Sequence, residues 1–143
     1  MKSKTMNIQL EPRTSNEFRK QITDYASNHI LGSSTKGHEV SKRRVDCHVK
    51  RLLLYLFTAT RGGHNRLKIV LYLAENPLNA NQLAKELDVD YRSIQHHIAI
   101  LKKNNMITCA GQKYGVVYFL SEFLELNIEA FNELIVKVSK NLE

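Results

Sequence analysis

Apolar positions recur along this chain mostly at helical spacing, and one short stretch breaks that rhythm. After Thr14 and Glu17, spaced as in a capping box, Phe18, Ile22, Tyr25 and His29 follow at intervals of 4, 3 and 4. This predicts an amphipathic helix that ends near Gly32. The run Gly32-Ser33-Ser34-Thr35-Lys36-Gly37 is small, polar and without periodicity, and reads as a flexible linker. Residues 1–13 read as a loose arm. A long helix is expected over residues 40–60, basic in its first half and apolar on all sides over residues 52–57, so that its second half should be buried on more than one side. Gly62 and Gly63 are expected to end it, and a further helix over residues 66–74 to turn Ile69, Val70 and Leu73 inward.

Asn79, followed three residues later by Gln82, has the capping-box signature and places a helix start at Ala80. Leu83, Ala84 and Leu87 give this short helix one apolar stripe, while Lys85 and Glu86 point away. Asp88-Val89-Asp90 should break it, because Asp tolerates the left-handed conformation at 88 and caps the next helix from 90. In that next helix, residues 91–104, Ile94, Ile98 and Leu101 repeat at i, i+4, i+7 and must face the core. Arg92, Ser93, Gln95, His96 and Ala99 are left outside.

The helical rhythm then stops. Residues 106–110 and 116–120 are rich in β-branched and aromatic side chains and read as two strands, joined by Gly111-Gln112-Lys113-Tyr114-Gly115 with glycines at positive-φ corners. From Ser121, a helix N-cap, Leu124, Ile128, Phe131, Ile135, Val138 and Leu142 fall at 4, 3, 4, 3, 4 spacing, an a/d seam of almost three heptads. Such a seam packs on the parent domain or pairs with its twin; Leu134 widens the stripe enough for both.

The expected fold is therefore mainly α with a small β-hairpin: a winged helix-turn-helix flanked by N-terminal helices and a C-terminal dimerisation helix. Its parts are residues 1–37 (arm, amphipathic helix, linker), 38–120 (basic helix and winged helix-turn-helix) and 121–143 (dimerisation helix). The outer face of helix 91–104 lacks the long charged pairs of a merely solvated helix, and its Arg, Ser, Gln, His and Tyr side chains suit base edges and phosphates. Arg92 is placed to be bidentate to guanine and Gln95 to adenine. Lys102 and Lys103 either touch phosphate or complement the helix dipole. In the hairpin loop, Lys113 is the expected phosphate contact, with Gln112 and Tyr114 beside it. His96 should face outward and His97 toward the core, about 100° apart around the helix, so that the two cannot share a metal from one face.

Arg61-Gly62-Gly63, Asn65-Arg66-Leu67-Lys68-Ile69-Val70, Asn79-Ala80-Asn81-Gln82-Leu83-Ala84, Asp90-Tyr91, His96-His97 and Tyr114-Gly115 together resemble the ArsR-like winged-helix transcriptional regulators, in particular their archaeal-type variants. The resemblance covers about residues 50–120. It implies double-stranded DNA as partner, a homodimer, and DNA contact at Arg92, Ser93, Gln95 and His96. The paired-cysteine motif of the metal-sensing branch of that family is absent here.

Composition narrows this further. With 43% hydrophobic and 24% charged residues, 143 residues suit one ordinary globular domain. The densest apolar run, six residues from Leu52 to Phe57, is far short of the roughly 20 a bilayer helix needs. No signal peptide is recognisable, and a cytoplasmic location is expected. Cys47 and Cys109 stand far apart without a CxxC, so structural thiols are expected, with neither zinc nor disulfide.

The formal net charge is +7, and residues 41–68 hold eight basic side chains against Asp46 alone. This stretch makes Arg61 and Arg66 further phosphate-contact candidates beside Tyr91, Lys102 and Lys113, and predicts salt-dependent binding. Residues 121–143, with five acids against two lysines, should face away from DNA. No GxGxxG, Walker loop or HExxH is present, no nucleophile stands with the neighbours catalysis needs, and no cofactor is expected. Two alternatives share these features: a winged-helix protein-docking module and a low-specificity architectural DNA binder. The sequence names no effector.

Overall fold

A computed structural model describes residues 20–28 and 46–141. The chain falls into two compact units, residues 1–41 with 135–143, and residues 42–134. The division runs through the last helix, between Leu134 and Ile135. In the first unit, α1 spans residues 20–28 and buries Ile22 and Tyr25, two members of the predicted N-terminal stripe. The Thr14–Glu17 cap, Phe18, His29, the 32–37 linker and Lys42, Arg43 and Arg44 lie outside the described residues.

The second unit opens with α2 (Cys47–Leu54), capped by Asp46, whose carboxylate accepts from the His48 N–H at 2.8 Å. The helix then widens into a π-helical turn, Tyr55–Ala59. Three successive carbonyls around this widening are taken up by side chains from further along the chain. Thr58 Oγ1 donates to Leu54 O (2.8 Å), Thr60 Oγ1 to Tyr55 O (2.8 Å) and Arg66 Nε to Leu56 O (2.9 Å). The first two bonds lie at the surface, whereas the Arg66 bond is buried and satisfies a Leu56 carbonyl that would otherwise be a costly orphan in the core.

Two glycines make the corner that follows. Gly62 has φ +84°, and Gly63 sits so close to the π-turn that an added Cβ would lie 2.7 Å from the Phe57 carbonyl group. Gly63 is the first residue of α3 (Gly63–Glu75), which starts three residues earlier than apolar spacing predicts. Leu67, Ile69, Val70, Leu71 and Leu73 of α3 are buried.

The helix-turn-helix is α4 (Ala80–Leu87) and α5 (Tyr91–Lys103). Both halves of the Asn79–Gln82 capping box form, at 2.8 and 2.9 Å. Asp88 adopts φ 54°, while the Val89 N–H reaches Ala84 O and the Asp88 N–H reaches Lys85 O. The chain thus reverses in three residues, as the two aspartates predict. At the end of α5 the same device recurs with Asn105 at φ 60°: its N–H donates to Lys102 O and that of Met106 to Leu101 O, a Schellman closure.

β1 (Ile107–Ala110) and β2 (Val117–Leu120) form the antiparallel hairpin, with Ile107 opposite Leu120 and Ala110 opposite Val117. Leu78 adds a third piece, an isolated bridge in which the backbones of Leu78 and Tyr118 exchange two hydrogen bonds (2.8 and 3.2 Å). One residue between a helix and a capping box is too short for any periodicity to announce. The architecture is mainly helical with one small hairpin, a winged helix-turn-helix.

Beyond Ser121 the structure departs from the single predicted helix. α6 (Glu122–Leu126) and α7 (Ile128–Asn141) are separated by Asn127, whose side chain turns back to donate to Phe123 O at 2.9 Å. Ser121 caps α6 and ties it to the helix-turn-helix: its amide donates to Met106 O and its hydroxyl to Asn105 O. Leu124, Phe131, Ile135 and Val138 are all buried and Ile128 is half-buried. Phe131 meets Phe57 of the π-turn edge to face at 5.7 Å, and Lys50 of α2 pairs with Glu133 of α7 at 3.1 Å. Within the second unit, Leu124 and Phe131 of the predicted dimer seam are packed in the core.

Candidate nucleic-acid interface

α5 turns Tyr91, Arg92, Gln95, His96, Ala99, Lys102 and Lys103 to solvent and buries Ile94, His97, Ile98 and Leu101. This is the two-faced helix that the spacing predicts. Its first turn is held by Asp90, which accepts from both the Ser93 N–H (2.9 Å) and the Ser93 hydroxyl (2.7 Å). These bonds hold the Asp90 carboxyl below its ordinary range. They also bear on chemistry. The Ser93 hydroxyl proton is committed to Asp90, and Ser93 is half-buried, which makes it the least available of the predicted contacts on this helix. With an ionised carboxylate on its own N-terminal amides, α5 does not offer them to a phosphate, and phosphate contact falls to exposed cations.

Those cations are Arg61, Arg92, Lys102, Lys103 and Lys113, all exposed. Lys113 stands in the hairpin loop at φ 36°, and Tyr114 beside it is 100% exposed. Gly111 takes the expected positive-φ corner (φ +102°). Lys113, and not Gly115, takes the second, because the Gly115 N–H bonds back to Gln112 O at 2.8 Å and tightens the loop around it. A Cβ on Gly111 would collide with Gly115 O.

Helix and loop meet in a polar cleft of about 200 Å³ lined by Asn79, Asn81, Tyr91, Gln95, Lys113 and Tyr114, among others. Helix-turn-helix and wing residues that the sequence could place only on separate elements are here brought to one groove. The cleft also holds a contact that spacing did not announce, although Tyr91 and Gln95 are one turn apart: Gln95 Nε2 donates to Tyr91 Oη at 2.6 Å.

Arg66 is not part of this surface. It is 3% exposed, with its guanidinium spread over Leu56 O, Thr60 Oγ1 (2.5 Å), Arg61 O (3.5 Å) and His97 Nδ1 (3.4 Å). The expected phosphate contact is instead a buried clamp on the corner between α2 and α3, reaching the inner face of α5. A basic side chain in a basic stretch gives no sequence signal for this. The available hint was helical phase: Arg66 shares a face with Ile69, Val70 and Leu73.

His97, 8% exposed, takes the inward place expected of it. Burial, and then the Arg66 charge, depress its pKa to about 4. Neutral imidazole accepts from Arg66 at Nδ1 and keeps its proton on Nε2. His64 is likewise lowered, by burial and then by Lys68.

Among the described residues, Asp46, Cys47 and His48 bring a carboxylate, a thiol and an imidazole within 4.8 Å of one another. All three are exposed and consecutive, and the closeness follows from Asp46 folding over the helix start as its cap. No helix among the described residues is long and apolar enough to cross a membrane.

Residues 64–108 match the family model for bacterial regulatory proteins of the arsR family. That segment runs from the start of α3 through α4 and α5 into β1. The helix-turn-helix is therefore of the kind carried by DNA-binding transcription regulators. No curated protein sequence matches the chain. Among solved structures, HlyU from Vibrio cholerae is similar at 24% identity and a TM-score of 0.49, over 65% of this chain and 95% of its own. ZitR of Lactococcus lactis, solved in complex with DNA, is similar at 14% identity and 0.43, over 94% and 84%. The adhesin competence repressor AdcR from Streptococcus pyogenes is similar at 17% and 0.42, over 86% and 80%.

Proposed function

We propose that this protein is a cytoplasmic, sequence-specific double-stranded-DNA-binding transcriptional regulator. It inserts α5 into the major groove and lays the hairpin loop on the flanking backbone. The observation that carries the reading is the outer face of α5, where Tyr91, Arg92, Gln95 and His96 stand exposed beside the loop lysine across one polar cleft. A helix about 10–12 Å across fits a groove of about 12 Å, and these side-chain types match its hydrogen-bonding edges. Arg92 serves guanine, Gln95 adenine, and His96 lies beside them. Arg61, Lys102 and Lys113 supply phosphate contacts, and Tyr91 lines the entrance between helix and loop.

The protein acts as a homodimer, whose two readers address half-sites about one turn of DNA apart. Among the described residues, the exposed apolar side chains Leu54, Tyr55, Leu126 and Val136, with Leu126 74% exposed, offer surface for pairing beside the predicted seam.

The test is a titration of the purified chain against its own upstream DNA and a scrambled duplex, at low and near-physiological salt. Tight, sequence-dependent binding is expected, and Arg92→Ala should cost roughly 1–3 kcal/mol on the preferred site only. Equal loss on every duplex would make Arg92 a phosphate contact. Steep salt dependence with no sequence preference would indicate an architectural binder, and no binding to either duplex a protein-docking module.

A further inference from the structure

Tyr91 and Gln95 are exposed, yet they are bonded to each other. A solvated glutamine on a helix surface has three rotatable bonds, and holding it in one rotamer costs side-chain entropy. The 2.6 Å bond from its Nε2 to the phenol oxygen one turn back does this before any ligand arrives. One Nε2 hydrogen is used. The second Nε2 hydrogen and Oε1 remain, a donor and an acceptor on one held amide plane, the group types that adenine N7 and N6 complement. Tyr91 Oη, having accepted, still carries its own proton to donate, and it lines the same cleft as Lys113.

From this we propose that Tyr91 is a positioning residue for base selection. It holds the Gln95 amide in the orientation that reads adenine at one base pair per half-site, while its own proton goes to a phosphate oxygen of the strand passing between α5 and the hairpin loop. The inference rests on the reading of α5 as the DNA-recognition helix. It adds a residue that need not touch a base to determine which base is chosen. A rigid donor–acceptor pair rejects the wrong edge more sharply than a mobile one, because a mismatched base leaves both groups unpaired and unable to swing away.

The experiment uses the full chain and a preferred duplex obtained by selection from a random pool, then titrates that duplex, its single-base replacements and a scrambled duplex. Wild type should prefer adenine over the other bases at one position per half-site by roughly 10-fold or more. Tyr91→Phe should reduce that preference below about 3-fold while changing scrambled-duplex affinity no more than about 3-fold, the amount expected for a single lost phosphate hydrogen bond. Gln95→Ala should abolish the same preference, and the double variant should lose nothing further, since the two act as one unit. A thermal melt of each variant confirms the fold. Full adenine preference in Tyr91→Phe, or an equal loss on all duplexes, overturns the positioning role while leaving the recognition helix in place. A wild type that prefers no sequence overturns the regulator reading itself, and this inference with it.

Discussion

Arg66 shows how far one residue's role depends on where its helix phase points it. Counted along the chain it is one of eight basic side chains in a basic stretch; in the fold it is buried, and it donates to the Leu56 carbonyl of the π-turn and the Arg61 carbonyl of the corner. Replacing it by Met keeps the stem and removes the donors, and the buried Leu56 carbonyl then loses its partner. We expect Arg66→Met to destabilise by ~2–4 kcal/mol in urea unfolding, with Arg66→Lys scarcely better, because an ammonium lacks the planar fork. The slope of DNA affinity against salt should not change in Arg66→Lys, since no phosphate is lost. His97 beside it gives a pH signature. Its folded pKa of about 4 lies below the ordinary 6.5, so the unfolded chain binds the proton more readily. Stability from this group is therefore complete above pH 6.5 and falls as pH drops toward 4, by ~3 kcal/mol over that window. His64 works in the same direction. His97→Gln should flatten the profile between pH 6.5 and 4 relative to wild type; an unchanged slope would remove His97 as its source.

Elements here are fixed mainly at their ends, and the ends were the most legible part of the sequence. Asn79 with Gln82, and Asp90 before Tyr91, form the caps their types and spacing predict, and Asp88 takes the left-handed turn. Asn79→Ala should cost ~1 kcal/mol of stability by thermal or urea unfolding, the ordinary worth of a cap. Gly62 is different in kind. Its φ of +84° strains any side chain, and a Cβ there would lie 2.7 Å from the His97 ring. Gly62→Ala should therefore cost more than the cap does, ~2–3 kcal/mol, and a loss no larger than that of Asn79→Ala would show that the corner yields. The α6–α7 break and the Leu78 bridge were not legible. Asn127 interrupts a seam whose 4-3-4 spacing runs on regardless, and a strand of one residue has no period.

For the whole molecule, the seam 124–138 decides what a perturbation reports. A heptad pattern states only that one face must be covered, not by which chain. Here Phe131 is covered by Phe57 of its own chain. Phe131→Glu should accordingly lower stability by ~3 kcal/mol or more, seen as a drop in the thermal midpoint, because a charge is forced into apolar packing. Loss of dimer with unchanged stability would put the seam back at a subunit interface.

Local order was settled by the sequence. Caps, turn residues and apolar spacing act within a few residues, so the helix-turn-helix, the hairpin and the exposed face of α5 follow from composition and spacing alone. What the tertiary structure decided are the relations between residues far apart in the chain: Arg66 turned inward, Leu78 joined to the hairpin, Phe131 set against Phe57, and Lys113 brought to the cleft of Tyr91 and Gln95. The reason is that a spacing fixes which side chains share a face, whereas what covers that face depends on every other element competing to be buried.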